Sequence, residues 1–277
     1  MIIVIASWPK SGNTWLRSQL TKYISKTDID LNNMASLVPI DSAKSLWKEY
    51  LGMDVSAVKG KDIFAHRFSM YDTLEQKLGP KKRLFLKSHS ANVAIKGHNN
   101  FNLDAIGKVV HIVRNPFDVL PSFANHMGLP IDKAWKSMQS KGLALNESDK
   151  QFSEFISSWD YHTQSFLALR PKKDKYLMVR YEDMKLQPIT TFSKVIEFIG
   201  LKHDENKIID SIWYSKFENL KSREEESGFK EAPAGRKFFR SGKIGAFKDE
   251  IPEAILAEMT EKYAGLMKSL GYQFSRG

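Results

Sequence analysis

Behind a short apolar run, Ile2–Ala6, the chain places Ser7-Trp8-Pro9-Lys10-Ser11-Gly12-Asn13-Thr14-Trp15. A strand, a tight turn with glycine and a helix N-terminus in that order make an anion site. Successive backbone N–H groups point at the ligand, and the helix dipole favours negative charge. Lys10 adds a full positive charge, and Ser11, Asn13 and Thr14 add donors. The loop reads as a phosphate cradle. It is not Gly-x-x-x-x-Gly-Lys-[Ser/Thr], because the lysine stands two residues before Gly12 and the first glycine is missing. The plain alternative is a tight turn with a solvent-facing lysine.

A second cation, Arg114, ends the run Lys108–Val113, and Ser122 follows eight positions later. A guanidinium matches phosphate bidentately, and a serine on the following helix adds a hydroxyl. Seven histidines compete for general-base work. His111 lies inside a strand pattern and His162 along a helix, so both read as structural; His203 follows a helix end and reads as solvent-facing. His89 comes directly after Arg83–Lys87, at a strand's carboxyl end beside the first turn. His66, His98 and His126 are reserves. No Asp/Glu/His cluster has metal-ligand spacing.

The elements that must position these groups alternate. Ile2–Ala6, Arg83–Lys87, Lys108–Val113 and Lys175–Val179 read as strands buried on both faces. Helical patterns cover Asn13–Ile24, Phe117–His126 (with Pro121 expected to kink or break it), Gln151–Leu169, Thr191–Gly200 and Glu253–Leu270. The expected fold class is α/β: one domain over residues 1–277, with a central mostly parallel sheet flanked by helices and a P-loop-NTPase-like phosphate cradle. In such sheets ligands bind at the carboxyl ends of the strands. Residues 26–80, 128–150 and 221–239 read as irregular excursions.

The chain has 277 residues, 42 Lys plus Arg against 32 Asp plus Glu, a net charge of +10, 42% hydrophobic residues and no cysteine. That composition excludes general disorder, a disulfide scaffold and thiolate–metal sites. The longest apolar run is too short to span a bilayer or act as a signal peptide, so a cytoplasmic protein is the default expectation. The basic balance fits nucleic acid, an acidic surface or a polyanionic small ligand.

With these residues in view, Ser-Trp-Pro-Lys-Ser-Gly-Asn-Thr-Trp-Leu resembles the 5′-phosphosulfate loop of sulfotransferases that use 3′-phosphoadenosine 5′-phosphosulfate (PAPS). Val109–Phe123 is similar to the same family's 3′-phosphate strand and helix, with Arg114 and Ser122 in the matching positions. Tyr181-Glu182-Asp183 resembles the segment whose tyrosine touches adenine. Phe217, between Ser215 and Leu220, lies where an aromatic stacks on the base, and Trp15 matches the other wall. Phe238–Lys248 resembles the C-terminal loop that covers the cofactor. There Arg240 and Gly242 match, Ser241 replaces a frequent lysine, and Ala246-Phe247 stands where glycine or alanine, aspartate and tryptophan are common. Leu86-Lys87-Ser88-His89 matches the Lys-x-His segment that carries the catalytic histidine.

The resemblance runs from Ile3 to about Lys248 and implies the following roles. The cosubstrate is PAPS and the product adenosine 3′,5′-bisphosphate (PAP), with no metal required. Cofactor contacts come from Lys10, Ser11, Gly12, Asn13, Thr14, Trp15, Arg114, Ser122, Tyr181, Ser215, Phe217, Leu220, Arg240, Ser241 and Gly242. Catalysis falls to His89 as general base with Lys10, Lys87 and Ser122, Ser122 restraining Lys10 until the acceptor arrives. The acceptor is a hydroxyl, less readily an amine, of a small molecule or glycoconjugate. Trp47, Tyr50, Phe64, Phe68 and Tyr71 point to a ring-bearing acceptor or simply pack their segment, Lys59, Lys61 and Arg67 leave an anionic sugar open, and Glu224–Glu226 leave a cationic acceptor open. Nucleic acid and membrane are not expected partners. The family's C-terminal Lys-x-x-x-Thr-Val-x-x-x-Glu dimer segment is missing between Ala246 and Gly277, so the oligomeric state stays open. A Mg²⁺–ATP kinase, a nucleic-acid module built on Gly242-Lys243-Ile244-Gly245 and a nucleotide-binding but inactive relative are the rivals.

Overall fold

The structure, a computed structural model, describes residues 1–272 except 26, 27, 29, 53, 57, 59–62 and 234. Its strands are β1 (Ile2–Ser7), β2 (Leu84–Ser88), β3 (Ala94–Ile95), β4 (His98–Asn99), β5 (Ile106–Val113), β6 (Ala144–Leu145), β7 (Glu154–Phe155) and β8 (Tyr176–Arg180). The helices are α1 (Asn13–Ile24), α2 (Lys44–Leu51), α3 (Ile63–Leu78), α4 (Pro116–Met127), α5 (Ile131–Met138), α6 (Trp159–Leu167), α7 (Tyr181–Leu186), α8 (Pro188–Phe198), α9 (Glu205–Tyr214), α10 (Phe217–Ser227) and α11 (Glu253–Ser269).

The central sheet has the order β2-β1-β5-β8, and all three pairings are parallel. Its apolar runs follow from helices on both faces. Along β1 the side chains alternate: Ile2, Val4 and Ala6 pack with Trp47, Tyr71, Leu74 and Phe166 on the α2, α3 and α6 side. Ile3 and Ile5 pack with Leu16, Leu20, Phe192, Val195 and Ile208 on the α1, α8 and α9 side. A third cluster joins α4, α5, α6 and α11 through Leu120, Trp135, Trp159 and Tyr263. This is the expected single α/β domain with a central parallel sheet. Because β1 pairs β2 on one side and β5 on the other, the chain reverses direction of winding at β1, and the crevice beyond its carboxyl end is open to ligand.

Three local expectations are corrected. The helix expected over Gln151–Leu169 starts only at Trp159. Phe152, Phe155 and Ile156 have helical spacing, but β7 pairs β6 in a short hairpin and Ser157 takes a positive φ of 64°. Next, Pro121 does not break α4, which runs through it with nearly every residue before Ala124 buried; the packing outweighs one missing N–H. Third, the excursions are not wholly irregular: they hold α2, α3 and a 3-10 turn over Leu31–Ser36, then α5, then most of α10. Lys59 and Lys61 lie outside the described residues. Among the described residues no helix is long and apolar enough to cross a membrane.

Candidate active site

A cleft of about 870 Å³ opens at the carboxyl edge of the sheet, and every central strand feeds it. The turn after β1 gives Lys10, Gly12, Asn13, Thr14 and Trp15. Lys87 comes from the end of β2 and His89 from just beyond it, Arg114 from beyond β5, and Tyr181 from beyond β8. Ser122 on α4 and Phe217 and Leu220 on α10 complete the walls with Arg240, Ser241 and Gly242. Ser11 and Ser215 do not line it. Both are fully buried, and the Ser215 carbonyl accepts from Trp15 Nε1 at 2.9 Å.

Gly12 caps α1 with φ 102°, and a Cβ there would stand 2.7 Å from Tyr181 Cδ2. Only glycine lets the ring of Tyr181 close against the loop. Asn13 is spent on the fold: its amide donates to Ile5 O at 3.0 Å and Ser7 Oγ at 3.2 Å, tying the loop to β1. The Ser11 hydroxyl has no partner among the described residues. Burial, then Arg114 and Lys87, bring the Lys10 ammonium down to about 7. It stands 3.5 Å over the Phe238 ring, and no hydrogen bond to Ser122 is among those described.

Arg114 bridges the crevice between β1 and β5. Its guanidinium donates to Lys10 O at 3.1 Å and Lys243 O at 3.4 Å and lies 4.2 Å over the Tyr181 ring, with Nε buried and unpartnered. Trp15 meets Tyr181 edge-on, ring centroids 5.3 Å apart. Arg240 is held in a bidentate pair with Glu250 at 2.6 and 2.8 Å. Asp118, on the first turn of α4, accepts from Gly245 N at 2.8 Å and Phe247 N at 3.3 Å, fastening the C-terminal segment over the cleft.

His89 Nδ1 lies 2.8 Å from the Ser7 carbonyl, which can only accept, so the proton sits on Nδ1 and Nε2 keeps its lone pair. Burial, then Lys87, hold the imidazole well below the usual histidine range. It is therefore neutral at pH 7. Its backbone N–H donates to Glu154 Oε2 at 2.8 Å, and Ser42 Oγ donates to the other oxygen at 3.0 Å. Of the reserve histidines, His126 alone reaches the cleft; burial and Lys10 bring it to about 4. His66 and His98 are exposed on α3 and β4. His111 and His162 are buried, and His203 is exposed beside Glu197.

Four participants had no local signal: Arg17, Glu154, Glu231 and Asp118. Arg17 and Glu154 line the cleft, and Glu231 reaches in to pair with Arg17 and Lys87. Their partners lie 65 to 214 residues away in sequence, so no spacing rule reveals them. Trp47, Phe64 and Tyr71 belong to the core and do not reach the cleft; they pack their segment. Arg67 is fully buried against Asp41 and Ser90 and offers no surface charge to a sugar.

Three comparisons bear on this arrangement. A family model described as the sulfotransferase domain matches residues 2–271. The cytosolic sulfotransferase 13 of Arabidopsis thaliana is 27% identical over 271 residues, covering 94% of this chain and 74% of that protein. The flavonol 3-sulfotransferase of Flaveria bidentis is 25% identical over 277 residues, covering 94% and 78%. A solved structure of retinol dehydratase in complex with androsterone and inactive cofactor PAP superposes with a TM-score of 0.67 at 17% identity, covering 100% of this chain and 83% of that one.

Proposed function

Because the chain belongs to the sulfotransferase domain family, we propose that this sulfotransferase moves a sulfuryl group from PAPS to a hydroxyl of a small-molecule acceptor. The observation that carries the reading is the convergence of four parallel strand ends on one cleft: phosphate loop, Lys87 with His89, Arg114, Tyr181. The residues present fit the nucleotide. Gly12 leaves bare backbone where a Cβ would stand 2.7 Å from Tyr181, Arg114 Nε is buried without a hydrogen-bond partner, and Lys10, Lys87 and Arg114 line the cleft with cations.

In this reading Lys10 and the N–H groups from Gly12 to Thr14 take the 5′-phosphate, Arg114, Ser122 and the segment Arg240–Gly242 take the 3′-phosphate, and Trp15, Tyr181 and Phe217 take the base. The acceptor hydroxyl gives its proton to His89 Nε2 while its oxygen attacks sulfur in line and the 5′-phosphate departs. Such displacement is mostly positioning and charge stabilisation. Lys10, Lys87 and the loop N–H groups offset charge growing on the departing oxygen. A small hydroxyl acceptor is supported by the relatives: one is a flavonol sulfotransferase, and one solved neighbour was crystallised with androsterone.

Titration calorimetry with PAP, run beside ATP with and without Mg²⁺, tests the reading. Tight, metal-independent binding of PAP that is lost in Arg114→Ala is the expected result. Preference for Mg²⁺–ATP would overturn it in favour of a kinase.

A further inference from the structure

A cleft lined with cations for a polyanion also holds a carboxylate. Glu231 Oε1 accepts from Arg17 Nη1 at 2.7 Å, and Oε2 accepts from Lys87 Nζ at 2.9 Å. The three groups are held very differently. Arg17, on α1, has a side chain 1% exposed and also donates to Val38 O at 3.0 Å; its Nε is unpartnered. Lys87, on β2, is locked by its backbone to Pro39 O at 2.8 Å and Asp41 N at 2.9 Å, with its side chain 10% exposed. Both cations are part of the framework.

Glu231 keeps 30% of its side chain open. The turn just before it is tied down: Asn32 donates to Gly228 O at 3.1 Å and accepts from Lys230 N at 2.7 Å. Phe229 packs with Leu31, Met34, Leu220 and Phe239. The carboxylate is therefore a short rotatable arm on a tethered turn. Burial raises its proton affinity, but Lys87 and Arg17 reverse this and hold it far below the usual carboxylate range, so protonation does not remove it at neutral pH. Two buried cations without a counter-ion would be costly. A guanidinium and an ammonium that share a carboxylate are also suited to hold a sulfonate oxygen.

We propose that Arg17 and Lys87 form an oxyanion seat for the sulfuryl group of the cosubstrate, and that Glu231 is its exchangeable resident counter-ion. The proposal rests on the sulfuryl-transfer reading above. On ligand entry the Glu231 side chain turns toward solvent while its turn stays in place. Lys87 also faces the departing oxygen, but Arg17 serves the sulfuryl group alone, so the seat separates PAPS from PAP, which has none.

The test is calorimetric titration of PAPS and PAP into the wild type, Glu231→Gln, Arg17→Gln and the double variant, with thermal denaturation to check folding. Glu231→Gln should raise the ratio of PAPS to PAP affinity by about fivefold or more, the scale of one partly exposed charge pair. Arg17→Gln should lower that ratio while PAP affinity stays within about twofold. The double variant should lose most of the gain, because the effect of residue 231 runs through the seat. Equal shifts for both nucleotides, no shift, or selective weakening of PAPS in Glu231→Gln would overturn the proposal. If Glu231→Gln does not fold, an unchanged ratio in Arg17→Gln overturns it alone. A wild type that binds neither nucleotide would overturn the sulfuryl-transfer reading and this proposal together.

Discussion

His89 Nδ1 stands 2.8 Å from the carbonyl oxygen of Ser7, so the residue after β2 is oriented by the last residue of β1. The two strands are paired in register, Ala6 beside Ser88, and end together. Parallel pairing thus sets the tautomer of the imidazole, and its Nε2 lone pair is available to accept a proton.

His89→Ala should lose about 10² to 10⁴ in turnover, the usual contribution of a placed general base. PAP affinity should change little, since no phosphate is assigned to the ring. Steady-state kinetics with an acceptor that the wild type sulfates, beside PAP calorimetry, checks both. Retained turnover would move the role to His126, the other histidine of the cleft.

Nucleotide binding should take up a proton at pH 8. Burial, then Arg114 and Lys87, bring Lys10 down to about 7 in the free protein. A phosphate beside it restores the charged form, so the bound protein holds Lys10 protonated where the free one does not. Affinity should be level below about pH 7 and fall as the pH rises above it. Calorimetry at pH 8 in Tris and in Bicine, whose ionisation enthalpies differ, reads the proton directly; identical enthalpies would refute the linkage.

Gly12→Ala should weaken PAP at least tenfold. The new methyl meets Tyr181 at 2.7 Å, in a backbone conformation of φ 102° that side chains avoid. Gly52→Ala is the matched control, with φ 63° and nothing within 4 Å. It should cost about 1 kcal/mol of stability through strain and leave PAP affinity intact. Thermal melts and PAP titrations of the pair separate strain from obstruction.

What the sequence discloses and what it conceals have physical causes. The four buried strands are legible because a strand covered on both faces must be apolar throughout, and the groups just beyond them are legible because ligands sit there. Lys10, His89 and Arg114 follow from that rule, whereas Tyr181 is named only through the family resemblance. Ser11 and Ser215 fell within the right segments, but the helix and loop that carry them turn both hydroxyls inward. Glu154 lies inside a stripe that mimics a helix, and the hairpin that forms there brings its carboxylate to the His89 amide. Glu231 lies in a charged stretch with no periodicity, and its meaning comes from Lys87, 144 residues earlier.

The strand order β2-β1-β5-β8 also governs how the protein is made. The phosphate loop is made before the segments that complete it: β1 gains its neighbours only when residues 84–88 and 106–113 have followed, and the cleft closes only with residues 240–242. Until then β1, an uninterrupted apolar strand, presents unpaired edges, which are templates for self-association. A chain arrested near residue 100 would have β2 on one side of β1 and nothing on the other. An edge left unpaired in this way makes amino-terminal fragments of this fold open to self-association.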